Sequence, residues 1–154
     1  MALARSIVAV FSRFNRWNSA STEGEQNAAH LLGARGERLA ARHLSRNGYK
    51  VLYRNFRNRN GGEVDIVCRD RRSNELVFVE VKTRRSRDYG APSHAVNDEK
   101  QKLIARGAIA WLRLLEWPDI RFRFDIVEVI DSGDAPVEIT VIENAFALPE
   151  PYRV

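Results

Sequence analysis

Two short alternating runs stand back to back in this chain. GEVDIVCR (62–69) and ELVFVEVKT (75–83) are separated only by the polar cluster DRRSN. A period of two predicts strands, and a short polar break between two such runs predicts an antiparallel hairpin. Alternation puts Glu63, Asp65 and Val67 on one face and Val64, Ile66 and Cys68 on the other. In the second run Leu76, Phe78, Glu80 and Lys82 share a face, opposite Val77, Val79 and Val81. With the turn centred between Arg72 and Ser73, Asp65 lies opposite Glu80 and Glu63 opposite Lys82. A slip of one residue would send these side chains to the other face, so the register is the central expectation.

The remaining elements assemble around that hairpin. GARGERLAARHLSRNG predicts a helix from Gly33, with Gly36, Ala40, Leu44 and Asn47 on one face and Arg35, Arg38, Arg42 and Arg46 opposite. Gly48 then stops it. Glu37 departs from the pattern, lying beside Ala40 and Leu44 on the small, apolar face. GYKVLYRNF predicts a strand before the hairpin. Asn97 caps a second helix whose packing face holds Lys100, Leu103, Ile104, Gly107 and Trp111. IRFRFDIVEVI and VEITVIENAF predict two further strands. The order of helix, three strands, helix and two strands defines a single α/β domain with a mixed central β-sheet flanked by helices.

At 154 residues, 44% apolar and 29% charged, the chain is sized and composed for one globular domain. Residues 1–30 read as a basic arm and 31–154 as the folded domain. Cys68 is the single cysteine, so no internal disulfide forms, and a reducing, cytoplasmic setting is expected. No apolar run approaches the roughly 20 residues of a membrane span.

Charge is uneven. Residues 34–60 carry eight basic side chains and one acid, whereas residues 107–154 carry four basic and nine acidic. Such polarity fits a polyanion docking on one side of the fold; a solvated arginine-rich surface is the other reading.

The hairpin carries the candidate chemistry. Opposed side chains on one face of a sheet stand about 4.5–5.5 Å apart at Cβ, where two carboxylates repel unless a cation lies between them. Mg²⁺, with its preference for oxygen ligands and retained waters, suits Asp65 and Glu80, and Mn²⁺ is the alternative. Lys82, two residues from Glu80 on the same face, is placed to orient a water or to stabilise charge on a phosphate. Glu37 offers a third carboxylate. Against this, Glu80 and Lys82 also fit an ordinary solvent-facing pair, although Leu76 and Phe78 on that face point to packing rather than water.

GGEVDIVCRDRRSNELVFVEVKTR resembles the acid…E-x-K motif of the PD-(D/E)xK nuclease superfamily. The wider run of blocks (GxxGE, GEVDIV, VFVEVKTR, YGAPSHAV, KQKL, RFDIVEV and IENAF) is similar to the YraN family of bacterial endonuclease-like proteins, relatives of archaeal Holliday-junction resolvases. That resemblance implies a restriction-endonuclease-like αβββαβ core. It also implies metal ligands at Asp65 and Glu80, a catalytic lysine at Lys82 and an auxiliary acid at Glu37. Glu63, Lys100 and Gln101 are possible auxiliary residues, with a salt bridge to Lys82 the simplest role for Glu63. Asp125, in the RFD block, is expected to be structural.

The function expected is a metal-dependent endonuclease cutting DNA, including branched or junction DNA, with RNA open as a substrate. Arg35, Arg38, Arg42, Arg84, Arg85 and Arg87 would contact phosphates, and the resolvase kinship implies a homodimer. Two other classes fit the same residues. One is a non-catalytic nucleic-acid-binding module or subunit of a DNA repair or processing assembly; the other is an interaction protein whose basic helix meets an acidic partner.

Overall fold

The computed structural model describes residues 25–88 and 96–152. Helix α1 (Glu25–Arg46) leads into strands β1 (Tyr49–Arg57), β2 (Glu63–Asp70) and β3 (Leu76–Arg84). Helix α2 (Asp98–Leu114) follows, then strands β4 (Phe122–Ile130) and β5 (Glu138–Phe146). The sheet order is β1-β2-β3-β4-β5. Only β3 and β4 run parallel, and α2 supplies the long crossover that a parallel pair needs.

The hairpin register is the one expected. Ile66 pairs with Val79, Val67 with Phe78, Cys68 with Val77 and Arg69 with Leu76. The turn is closed by the N–H groups of Asp70 and Asn74, which donate to the carbonyls of Glu75 and Asp70 at 3.0 and 2.8 Å. Asn74 takes the left-handed conformation (φ 61°) that asparagine tolerates in tight turns.

Both faces of the central strands are covered. Ile66, Cys68, Val77, Val79, Val127 and Val129 meet Ala40 and Leu44 of α1 on one face. On the other, Val67, Leu76, Phe78, Phe124 and Ile126 meet Ile104, Ala108 and Trp111 of α2. Burial on both sides explains why β3 and β4 read as nearly continuous apolar runs. In α1, Gly36, Ala40 and Leu44 are buried while Arg35, Arg38, Arg42 and Arg46 are exposed, as the helical spacing predicts; Asn47, expected on the buried face, falls past the helix end and is exposed.

That helix begins at Glu25 rather than Gly33. The added turns, EQNAAHLL, are mostly exposed, so burial does not signal them; good helix formers extend the rod. The basic arm up to residue 24 and most of YGAPSHAV lie outside the described residues. No helix among the described residues is long and apolar enough to cross a membrane.

Candidate functional site

β3 is buried from Leu76 to Val81 and opens toward solvent from Lys82. Glu80 sits just inside that boundary, with its side chain only 3% exposed. A carboxylate so placed needs cationic partners. Its Oε1 receives Lys82 Nζ at 2.9 Å and Lys100 Nζ at 3.3 Å. Its Oε2 is buried with no hydrogen-bond partner.

Asp65 stands across the hairpin, where the ladder has ended. Its Oδ2 accepts the backbone N–H of Val81 at 2.8 Å, so the side chain takes over a main-chain donor of the neighbouring strand. Burial and the charge of Glu80 push the Asp65 pKa up to about 7, against the opposing pull of the Val81 N–H and Lys100. Glu37 raises it further, which places this acid within electrostatic reach of the pair.

Glycines set these distances. A Cβ on Gly36 would fall 1.8 Å from Thr83 Oγ1, so α1 lies directly on the end of β3, with half-buried Glu37 the next residue. On the other face, a Cβ on Gly62 would meet Gly107 N at 2.4 Å, and one on Gly107 would meet Glu63 O at 2.8 Å. Helix α2 therefore rides on the start of β2 with no side chain between them. Lys100, two turns before Gly107 on the same face, is carried over the acids.

Lys100 reaches the site instead of extending to solvent. It hydrogen-bonds Glu63 and ion-pairs with Glu80. Burial acts to lower the Lys100 pKa, but Glu63, Glu80 and Asp65 outweigh it and hold the ammonium above its usual range. Glu63 is likewise pushed up by burial, yet Lys100, Arg57 and Lys82 bring its carboxyl below the usual value. The expected Glu63–Lys82 salt bridge is thus replaced: Glu63 pairs with Lys100 and, at 3.9 Å, with Arg57. The cause is the helix packed above, which strand alternation does not convey.

Gln101 is turned elsewhere, its Nε2 donating to the Val96 carbonyl at 3.1 Å. Of the basic candidates, Arg35 pairs with Asp131 at 2.8 Å, Arg84 with Glu128 at 3.7 Å, and Arg87 with Glu138. Arg38, Arg42 and Arg85 are exposed and hold no ion pair among the described residues. Glu128 was not singled out from the sequence. It is buried and is the parallel-ladder partner of Lys82, so it shares the face of the site. An acid inside the apolar run DIVEVI was the available signal.

Among the described residues, no three of His, Cys, Asp or Glu form a ready metal cage. The chemistry present is a two-carboxylate pair with an unused buried oxygen, neutralised by two lysines. Cys68 is buried on the α1 side, its thiol pushed up to about 12 chiefly by burial, and belongs to the core.

Fold and site together define a single α/β domain consistent with a restriction-endonuclease-like core, carrying an acid–lysine cluster at the open end of β3. A family model described as "Uncharacterised protein family UPF0102" matches residues 36–129, a span that holds Glu37, Asp65, Glu80, Lys82 and Lys100. A UPF0102 protein of Geobacter sulfurreducens is 52% identical over 119 residues, covering 77% of this chain and 90% of its own. UPF0102 proteins of Geobacter metallireducens and Acetivibrio thermocellus are 49% and 42% identical, covering 76% and 82% of this chain and 93% and 98% of theirs. The chain belongs to the UPF0102 family, the YraN-type family that its sequence blocks resemble.

Proposed function

We propose that this protein is a divalent-metal-dependent endonuclease of the PD-(D/E)xK type, hydrolysing phosphodiester bonds in DNA. The observation that carries the reading is Glu80 Oε2, a buried carboxylate oxygen without a partner, beside an Asp65 whose ionisation its neighbour opposes. Buried carboxylates with nothing to bind are costly, and a hard cation removes both costs.

Asp65 and Glu80 would hold Mg²⁺ or Mn²⁺, with waters and substrate oxygens completing the shell, since two protein carboxylates are a common complement for Mg²⁺. When bound, such an ion polarises the phosphate and offsets its growing negative charge. Lys82, partly exposed and paired with Glu80, would direct its ammonium toward a phosphate oxygen and the attacking water once substrate is bound. Lys100 balances Glu63 and Glu80 from above. Glu37 adds negative potential at Asp65. Exposed Arg38, Arg42 and Arg85 supply charge for flanking phosphates, so binding should weaken steeply with salt. Cleavage of branched DNA by a homodimer belongs to the same reading, through the resolvase resemblance.

A second reading has its own support. Two ammonium groups already neutralise Glu80, and no three-acid group is formed among the described residues. That arrangement also suits a nucleic-acid-binding module without turnover.

Cleavage of labelled linear, flapped and four-way DNA, with Mg²⁺ or Mn²⁺ and with EDTA, separates the two. The nuclease reading expects metal-dependent cutting that falls at least about 100-fold in Lys82→Ala while DNA binding persists. A protein that binds metal and DNA yet cuts none of these substrates is a binding module. Absence of DNA binding at low salt removes both readings.

A further inference from the structure

Beyond the acids, α2 continues along the β1–β2 turn. Arg106, Ala110 and Arg113 recur at one-turn spacing there, and the Arg106 backbone passes within touching distance of Gly62. Between helix and turn opens a cleft of about 180 Å³, lined by Phe56, Arg57, Asn58, Asn60, Ala110, Arg113 and Leu114. Its floor is rigid, because buried Phe56 stacks edge-on against Trp111 at 5.2 Å. Its rim is pinned as well: Asn58 N donates to Gly62 O at 2.8 Å and Gly61 N to Asn58 O at 3.0 Å. Ala110, the smallest side chain of the lining, leaves the space open.

The charge of this cleft is one-sided. No acid lines it. Arg113 is exposed and has no ion pair among the described residues, and the acid paired with Arg57, Glu63, stands at 3.9 Å and is already held by Lys100. One turn before Ala110, Arg106 Nε is buried with no hydrogen-bond partner. Phe56, Ala110 and Leu114 give the cleft an apolar wall, and the two guanidinium groups and two amides around it supply donors for the oxygens of a phosphate.

We infer that this cleft is a second phosphate subsite, seating the nucleic-acid backbone at a distance from the reacting phosphodiester. It rests on the nucleic-acid reading above. Arg57 and Arg113 clamp the phosphate, and the Asn58 and Asn60 amides donate to its remaining oxygens. From Lys100 to Arg113 the helix rises roughly 20 Å, which is about six base pairs of duplex at 3.4 Å each. The cleft therefore seats a backbone phosphate several base pairs along the duplex from the acids, and the Arg57–Glu63–Lys100–Glu80 chain of charges runs from one to the other.

Anisotropy of a labelled duplex against KCl concentration, with the full chain in EDTA, tests the assignment. Arg57→Ala/Arg113→Ala should weaken binding about tenfold or more and flatten the slope of log affinity against log salt by about 0.9, the value for one lost phosphate contact. Ala110→Glu, which fills the cleft with a carboxylate on a good helix former, should weaken binding comparably. Arg71→Ala/Arg121→Ala, at exposed arginines outside the cleft, should change affinity less than twofold. Wild-type affinity and slope in the cleft variants, or an equal loss in the Arg71/Arg121 control, overturns the subsite while leaving the nuclease reading standing. No duplex binding by the wild-type chain at low salt removes both. If inorganic phosphate shifts the Asn58 and Asn60 amide resonances and duplex does not displace it, the cleft serves a small phosphate and the assignment to a strand is wrong.

Discussion

Asp125 and Glu80 are both carboxylates buried within the sheet, yet their surroundings are built in opposite ways. Asp125 Oδ1 accepts Arg123 Nε and the Asn144 backbone N–H, each at 2.9 Å, and its Oδ2 accepts Arg123 Nη2 at 3.1 Å. Asn144 lies in the left-handed region (φ 51°) where the β4–β5 register shifts, so Asp125 takes a donor that the ladder released. Arg123 also binds Asp70, Glu75 and the Tyr49 hydroxyl, and Arg72 ties Asp70 to Glu143. The result is a clasp that joins β1, β2, β4 and β5 through Arg72 and Glu75 of the β2–β3 turn. Glu80 instead has two lysines on one oxygen and nothing on the other. One cluster closes the sheet, whereas the other keeps binding capacity in reserve.

The sharpest way to break this comparison is to remove the cation at the centre of the clasp. Arg123→Ala should cost about 3–5 kcal/mol, because Asp70 and Asp125 lose a shared buried partner. Urea denaturation measures it. A loss under about 1 kcal/mol would mean that the clasp is incidental to stability. Glu80→Gln should do the reverse at the site: stability stays within about 1 kcal/mol of wild type, since a repulsion disappears together with two ion pairs. The Asp65 pKa should also drop from about 7 toward the ordinary carboxylate range, read by carboxyl NMR titration.

A somewhat smaller effect follows from the helix that bridges to the acids. Gly107→Ala places a Cβ 2.8–2.9 Å from the Glu63 backbone, so α2 must lift from β2. About 1–3 kcal/mol should be lost, and Lys100 should part from Glu63. A crystal structure of the variant with Lys100 still on Glu63 and Glu80 would show that the glycine contact does not place it.

The difference between these regions also explains what the sequence made legible. Asp65, Glu80 and Lys82 were found because strand period and one short turn set their register, and both are local. Glu37 stood out because an acid on a small-residue helix face is conspicuous. Lys100's partners were not legible, since they depend on Gly62 meeting Gly107, a contact between distant parts of the chain. The clasp was hidden for the same reason. Asp125 could be read as structural, but nothing in RFRFDIVEVI tells which turn arginine or edge-strand acid joins it across the sheet. Glu128 needed only the parallel register of β3 with β4, which a helical crossover leaves unspecified in sequence.

The two clusters should also divide the pH dependence of stability between them. Hydrogen bonds from Arg72 hold the Asp70 carboxyl well below its usual range. A depressed carboxylate contributes stability above its unfolded pKa, near 3.9, and that contribution fades as pH falls toward the folded value. Asp65 has the opposite sign. Its folded pKa of about 7 favours the protonated native state, so stability is retained below about pH 4 and declines as pH rises through 7 in metal-free protein. Asp70→Asn should flatten the acid limb, and Asp65→Asn the limb between about pH 4 and 7. If Asp65 holds metal, Mn²⁺ should flatten that second limb in the wild-type chain, with apparent affinity rising up to tenfold per pH unit until about pH 7 and then levelling. A stability profile that Mn²⁺ leaves unchanged would sink the metal assignment.

The smallest expected change concerns the hydroxyl that joins the outermost strands. Tyr49 O–H donates to Glu143 Oε1 at 3.0 Å and accepts from Arg72 and Arg123. Burial and the nearby carboxylates push its phenol well above the usual range, so it stays protonated across the working pH. Tyr49→Phe keeps the ring and deletes the oxygen, leaving each arginine its carboxylate partners. About 0.5–1.5 kcal/mol should be lost, with no change in Mn²⁺ affinity at Asp65 and Glu80. A loss of metal affinity in this variant would mean that the clasp and the site are coupled through the sheet, and the separation between a closed cluster and an open one would no longer hold.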